Sequence, residues 1–329
     1  MTDRGADLDT AVEVVRRAAR ACRAVQERMV QPETLEKKDK SPVTVADFAS
    51  QAIVCALLAE RLPDDPVVGE EDSAALRRSV QAPLRAAIVD RVSAELEAPL
   101  DEARVLGWID RGSGAADTDR YWTLDPIDGT KGFLRGEQYA VALGLIEDGE
   151  VVLGVLGCPQ LPLGSARGAL FAAVRGGPAR VHPLWDAAAP GEEIRVGDLR
   201  SAAEARLCES VESAHSDQGE SARVAALLGI RAEPYRIDSQ CKYAAVARDD
   251  ASIYLRLPTR ADYREKIWDH AAGSLIVESA GGTVTDVEGR TLDFRHGRTL
   301  ESNRGVVATG GQIHDEVLGA LRSLREAPA

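Results

Sequence analysis

Apolar residues recur at helical spacing through Leu8, Val12, Val15, Ala19, Cys22 and Val25, with arginines opposite, so the chain opens on a scaffold helix from about Leu8 to Val30. The charged segment Lys37 to Asp47 carries Pro42, and Thr44 begins a second helix running to about Leu62. Thr44 with Asp47 three residues on reads as a capping box, with Asp where Glu or Gln is usual. Pro66 to Asp72, PVVGEED, reads as a short buried strand ending in three acids. A helix of Ala, Arg and Glu fills Ala75 to Leu96, and Gly112-Ser113-Gly114 marks a flexible surface loop. An apolar lead-in, Trp122 and Leu124, ends another buried strand that breaks into a turn at Pro126 and Gly129.

From Gln138 the alternation YAVALGLIEDGEVVLGVLGCP predicts two strands joined by a hairpin at Glu147-Asp148-Gly149. Gly168 to Val174 adds a strand, and Gly176-Gly177-Pro178 turns into a return strand, giving helices packed on an antiparallel-rich sheet. The Pro- and Ala-rich segment Asp186 to Gly191 is the linker candidate. Beyond it, strands at Arg206–Val211, Ile253–Leu257 and Gly305–Thr309 alternate with helices near Ser221–Leu228, Gln240–Ala247, Trp268–Ser279 and Gln312–Leu324. The fold class is therefore α/β, with an α+β domain over 1–185 and an α/β domain over 186–329.

Composition narrows the partners. The chain has 329 residues, 44% of them apolar, enough for a large core in two domains or one large unit. A net charge of −13 argues against long nucleic acid or an anionic membrane, so an anionic substrate needs metal ions or a local basic pocket. Five scattered cysteines with no C-x-x-C pair, no signal-peptide core in MTDRGADLDT and no long uncharged apolar run indicate a cytoplasmic protein; a monomer and a homodimer are both expected forms.

The chemistry concentrates at Asp125-Pro126-Ile127-Asp128-Gly129-Thr130. Two carboxylates three residues apart, with the Ile127 carbonyl between them, make an oxygen nest for a hard cation such as Mg²⁺. Gly129 allows close backbone approach, and Thr130 offers a hydroxyl and an N–H at a new helical turn, where phosphate is favoured. The same residue types also build any tight strand-to-helix turn. Glu70 and Asp269 add carboxylates at other element ends, and together the four acids and one carbonyl can hold two or three Mg²⁺ ions. Water is then the nucleophile, with Thr130 and Asp47 orienting it. G-x-S-x-G is absent, and the acid spacing differs from the D-x-D aspartyl-phosphate motif. Ser239, Lys242 and Arg256 form a basic cluster suited to a second phosphate, or are ordinary surface groups, and His215 lies against a base or in solvent.

The segments SPVTVADFASQAIV, VVGEED, LDPIDGTKGFLRGEQYAVALGLIEDG, SQCKY, YLRLP and EKIWDHAAG, spread in order from about Ser41 to Thr285, resemble the 3′(2′),5′-bisphosphate nucleotidase branch of the lithium-sensitive inositol monophosphatase superfamily. The resemblance implies a layered α-β-α-β-α sandwich and a Mg²⁺-dependent, lithium-sensitive phosphatase that removes the 3′-phosphate of adenosine 3′,5′-bisphosphate. It implies metal ligation by Glu70, Asp125, Ile127, Asp128 and Asp269, with Asp47 and Thr130 activating water. Gly129 and Thr130 would cradle the scissile phosphate, with Ser239, Lys242 and Arg256 on the other phosphate and His215 near the base. The chain departs from the family pattern at Arg248-Asp249-Asp250-Ala251-Ser252, where a glycine and an Ala-Asp pair are usual. An inositol or sugar phosphatase and a catalytically silent nucleotide sensor are the competing functions.

Overall fold

The computed structural model describes residues 4–29, 41–116, 118–211, 218–258, 260 and 262–326. Helices α1 (Arg4–Met29) and α2 (Ser41–Arg61) pack together over one face of a seven-stranded sheet. Val14, Val15, Ala18, Ala19 and Cys22 form the buried stripe of α1 that the helical spacing predicts. Helix α2 starts at Ser41, so Thr44 lies inside its first turn and is not a cap. Pro42 falls in that first turn, where a missing N–H costs nothing, and so opens the helix instead of delaying it.

The first sheet places β1 (Val67–Gly69), β2 (Arg120–Asp128), β3 (Ala140–Glu147), β4 (Glu150–Leu163), β5 (Ala166–Val174), β6 (Arg180–Pro183) and β7 (Glu192–Glu193) side by side in chain order. β1 and β2 are parallel, and the later pairs are antiparallel. A parallel pair needs a crossover, supplied here by α3 (Ala82–Leu96) and α4 (Glu102–Arg111). The helix expected from Ala75 begins only at Ala82, after a short 3₁₀ turn at Ser79–Gln81, because Pro83 fixes its first turn. Asp148 and Gly149 both have positive φ, the twisted two-residue turn that suits the β3–β4 hairpin.

Gly112-Ser113-Gly114 is not a flexible loop. Gly69 N–H donates to Gly112 O at 2.7 Å and Gly114 N–H to Val67 O at 2.9 Å, so the segment extends the sheet beyond β1. A Cβ on Gly112 would lie 2.3 Å from Gln51 Nε2, and one on Gly114 2.5 Å from Val67 O. These glycines serve close approach.

The second sheet runs β11 (Thr283–Thr285), β12 (Val306–Thr309), β10 (Ile253–Arg256), β8 (Leu207–Glu209), β9 (Tyr235–Arg236). Helices α7 (Cys241–Ala247) and α8 (Ala271–Ser279) fill the space between the sheets, against Tyr121, Ala142 and Phe171 on one side and Tyr254 and Ala308 on the other. Ile253, Leu255 and Val307 point the opposite way, into a core closed by α6 (Gln218–Leu228) and α9 (His314–Glu326). Strand alternation thus feeds two separate cores and produces the five-layer α-β-α-β-α sandwich. All five cysteines are free and buried. Among the described residues no helix is long and apolar enough to cross a membrane.

Candidate active site

The register of β2 against β3 slips at the acidic motif: Asp125 faces Ala142 while Asp128 faces Ala140. The bulge accommodates Pro126, which has no N–H for the ladder, and the strand continues to Asp128 instead of breaking at Pro126. Ser50 Oγ donates to Pro126 O at 3.0 Å and ties the bulge to α2. Gly129 then adopts φ +91°, and helix α5 (Thr130–Leu134) starts immediately after it. A Cβ on Gly129 would stand 2.8 Å from Ser239 Cβ, so this turn touches the segment entering α7.

The motif opens on a cleft of about 460 Å³, a size suited to a small ligand. Glu70, Asp125, Ile127, Asp128, Gly129, Thr130 and Asp269 line it together with Ser239, Lys242 and Arg256. Asp47 is buried on α2, and its charge reaches Asp125 and responds to Glu70 and Glu71. His215 lies outside the described residues. Of the three acids after β1, Glu70 alone reaches the cleft: Gln51 Oε1 accepts from Glu71 N–H, and Asp72 Oδ1 accepts from Ala74 N–H.

The carboxylates crowd one another. Burial first, then Glu70, Asp128, Asp269 and Asp47, push Asp125 well above the usual carboxylate range. Burial and Asp128 do the same to Asp269, and burial with Glu71 and Glu70 to Asp47. Burial, Glu71 and Asp128 lift Glu70 to about 7. Asp125 Oδ1 is buried without a hydrogen-bond partner. A buried oxygen left unpaired inside a ring of acids is the feature a hard divalent cation satisfies, so the donor set fits Mg²⁺.

Positive groups gather in the same cleft, around Asp128. Burial raises Asp128, opposed by Lys242, by the Gln240 N–H that donates to Asp128 Oδ2 at 2.5 Å, and by Arg256. Lys242 is 6% exposed, its ammonium pulled toward neutrality by burial and back by Asp128, with Nζ 5.4 Å from the Tyr254 ring centre. Arg256 Nε donates to Glu265 Oε2 at 3.2 Å, and the Arg256 side chain also hydrogen-bonds Tyr263. Glu265 Oε2 lies 3.2 Å from His270 Nε2, and His270 Nδ1 lies 2.7 Å from Tyr243 Oη. Burial alone would raise Glu265, but His270 and Arg256 outweigh it and hold the carboxyl below its ordinary value. Ligand atoms of Glu265, Asp269 and His270 lie within 4.8 Å of one another, yet Glu265 and His270 already serve Arg256 and Tyr243. Asp269 is the member of that trio with a carboxylate for the acid cluster.

Sequence reasoning gave no role to Gln240, Glu265, His270 or Tyr254. Gln240 joins three elements, since its Nε2 donates to Trp268 O at 2.9 Å and its Oε1 accepts from Gly273 N–H at 3.1 Å. The SQCKY, YLRLP and EKIWDH segments carried these residues, but no spacing rule links them across 30 residues of chain.

The sequence profile of the inositol monophosphatase family matches residues 6–326. A 3′(2′),5′-bisphosphate nucleotidase of Emericella nidulans is 45% identical over 319 residues, covering 88% of this chain and 90% of that protein. A protein of the same name from Schizosaccharomyces pombe is 42% identical, covering 96% and 94%. An inositol monophosphatase structure from Zymomonas mobilis superposes with a TM-score of 0.65 at 22% identity, covering 98% of this chain and all of that one. With its five-layer sandwich and acid-lined cleft, this chain belongs to the inositol monophosphatase family.

Proposed function

We propose that this protein is a Mg²⁺-dependent phosphomonoesterase that removes the 3′-phosphate of adenosine 3′,5′-bisphosphate, and of its sulfated form, by attack of water. The observation that carries this reading is the meeting of Glu70, Asp125, Asp128 and Asp269 in one cleft faced by Lys242 and Arg256. The nucleotidases to which the chain is 39–45% identical over their aligned lengths support it. Glu70, Asp125, Asp128, Asp269 and the Ile127 carbonyl would hold two or three Mg²⁺ ions. When bound, these ions supply positive charge to the phosphoryl oxygens and acidify water.

The rest of the reaction falls to the chain's own groups. Asp47 and the Thr130 hydroxyl orient the attacking water and take up its proton. Gly129 and Thr130 offer backbone N–H groups to the scissile phosphate, and Gly129 leaves room for its approach. Ser239, Lys242 and Arg256 grip the second phosphate, and His215 is assigned to the base. Lithium inhibition follows from the family. The free, buried cysteines support a cytoplasmic setting, and the net charge supports a small nucleotide over long nucleic acid.

Phosphate release from adenosine 3′,5′-bisphosphate, inositol 1-phosphate and adenosine 3′-phosphate, with and without Mg²⁺ and Li⁺, tests the assignment. Lys242→Met should raise KM for the bisphosphate about 10- to 100-fold, the range of a lost charge-assisted hydrogen bond, and change adenosine 3′-phosphate little. Equal losses on both esters, or faster turnover of the inositol ester by the wild type, would point to an inositol or sugar phosphatase.

A further inference from the structure

Glu70 follows β1 and Asp269 sits on the 3₁₀ turn before α8, and a cation site needs them held at a fixed separation. Arg298, in the connection between β11 and β12, touches the residue before each of them. Its Nη2 donates to Gly69 O at 2.5 Å, directly ahead of Glu70. Its guanidinium carbon lies 4.7 Å from the centre of the Trp268 ring, directly ahead of Asp269. Its own carbonyl accepts from Ile267 N–H at 3.2 Å, at the start of the 3₁₀ turn that carries Asp269. The neighbouring Thr299 bridges Lys266. On the other side, Glu70 N–H donates to Leu124 O at 3.2 Å, one residue before Asp125. One side chain therefore spans from the turn bearing Asp269 to the strand end bearing Glu70, which is itself bonded to the strand bearing Asp125.

We propose that Arg298 is a positioning residue for the cation site, a clamp that sets the distance between Glu70 and Asp269. This rests on the reading of the acids as cation ligands. A planar guanidinium suits the task because it stacks on an indole and donates in its own plane at once, which an ammonium cannot do. Arg298 is exposed and its charge is opposed by Asp72 and Glu70, which offsets its repulsion of an arriving cation. Residues that orient metal ligands without touching the metal are commonly worth 10- to 100-fold in affinity. Arg298 bonds to the backbone beside the ligands, which places it at the lower end.

Mg²⁺ binding to the intact protein, read by titration calorimetry below the unfolding temperature, tests the clamp without relying on turnover. Arg298→Met should weaken Mg²⁺ binding about tenfold, with activity recovered as Mg²⁺ is raised. Arg298→Lys keeps the charge and one donor but loses the stacked plane, and should fall between, about threefold weaker than wild type. Should Arg298→Met fail to fold, Arg298→Lys decides alone. Lower melting temperatures with unaltered Mg²⁺ affinity, or tighter binding by Arg298→Met, overturn the clamp. Wild-type protein that takes up no Mg²⁺ overturns the cation reading itself, and the clamp with it.

Discussion

Replacing Glu70 by Gln should stabilise the metal-free protein, because it removes a charge that the fold resists. The Glu70 carboxyl is lifted from 4.5 to about 7, by burial first and then by Glu71 and Asp128. An acid whose folded value is raised binds more protons folded than unfolded, so its contribution to stability declines as pH rises from about 4.5 through about 7. The whole shift corresponds to about 3.4 kcal/mol. The Glu70 side chain reaches solvent, however, and screening reduces this to about 1–2 kcal/mol. A glutamine amide has nearly the same shape, carries no charge and can donate to Asp125. In EDTA at pH 8, urea unfolding followed by fluorescence of the buried Trp122 and Trp268 should show Glu70→Gln more stable by that amount. The gain should drop to less than half at pH 5.5, and in Mg²⁺ the order should reverse. A glutamine variant no more stable than wild type without metal, or a gain that ignores pH, would refute the repulsion argument.

The buried pair behind Arg256 makes a second prediction. Glu265→Gln strips the charge that Arg256 and His270 rely on and should cost about 2–4 kcal/mol in urea unfolding, with KM for the bisphosphate raised about tenfold; an unchanged KM would mean that Glu265 does not hold Arg256 for substrate. Gly129→Ala meets both a φ of +91° and the Ser239 Cβ 2.8 Å away. It should lower stability by about 1–3 kcal/mol and reduce kcat as Thr130 moves, and a variant that melts and turns over like wild type would contradict the assigned turn.

Much of the architecture was legible because it is local. Helix α1 announces itself by the spacing of Val15, Ala19 and Cys22, the β3–β4 hairpin by Asp148-Gly149, and the acid motif by two aspartates around Pro126. Where local signals misled, longer-range packing had the last word. Gly112 and Gly114 read as loop residues, yet they are glycines because Gln51 and the Val67 backbone crowd them. Thr44 read as a helix start, but the helix begins three residues earlier, at Ser41.

The sequence by itself determined most of the helices and strands and named most residues of the cleft, since side-chain period and turn chemistry act over a few residues at a time; the layer order came only with the family resemblance. It could not determine which charges meet. That Asp125 Oδ1 is left without a partner, that Glu265 and His270 support Arg256, and that Arg298 joins the strand of Glu70 to the turn of Asp269 all depend on contacts spanning up to 229 residues of chain. Only the stacking of the two sheets around α7 and α8 brings those groups together, because electrostatic energy depends on distance in space and takes no account of separation along the chain.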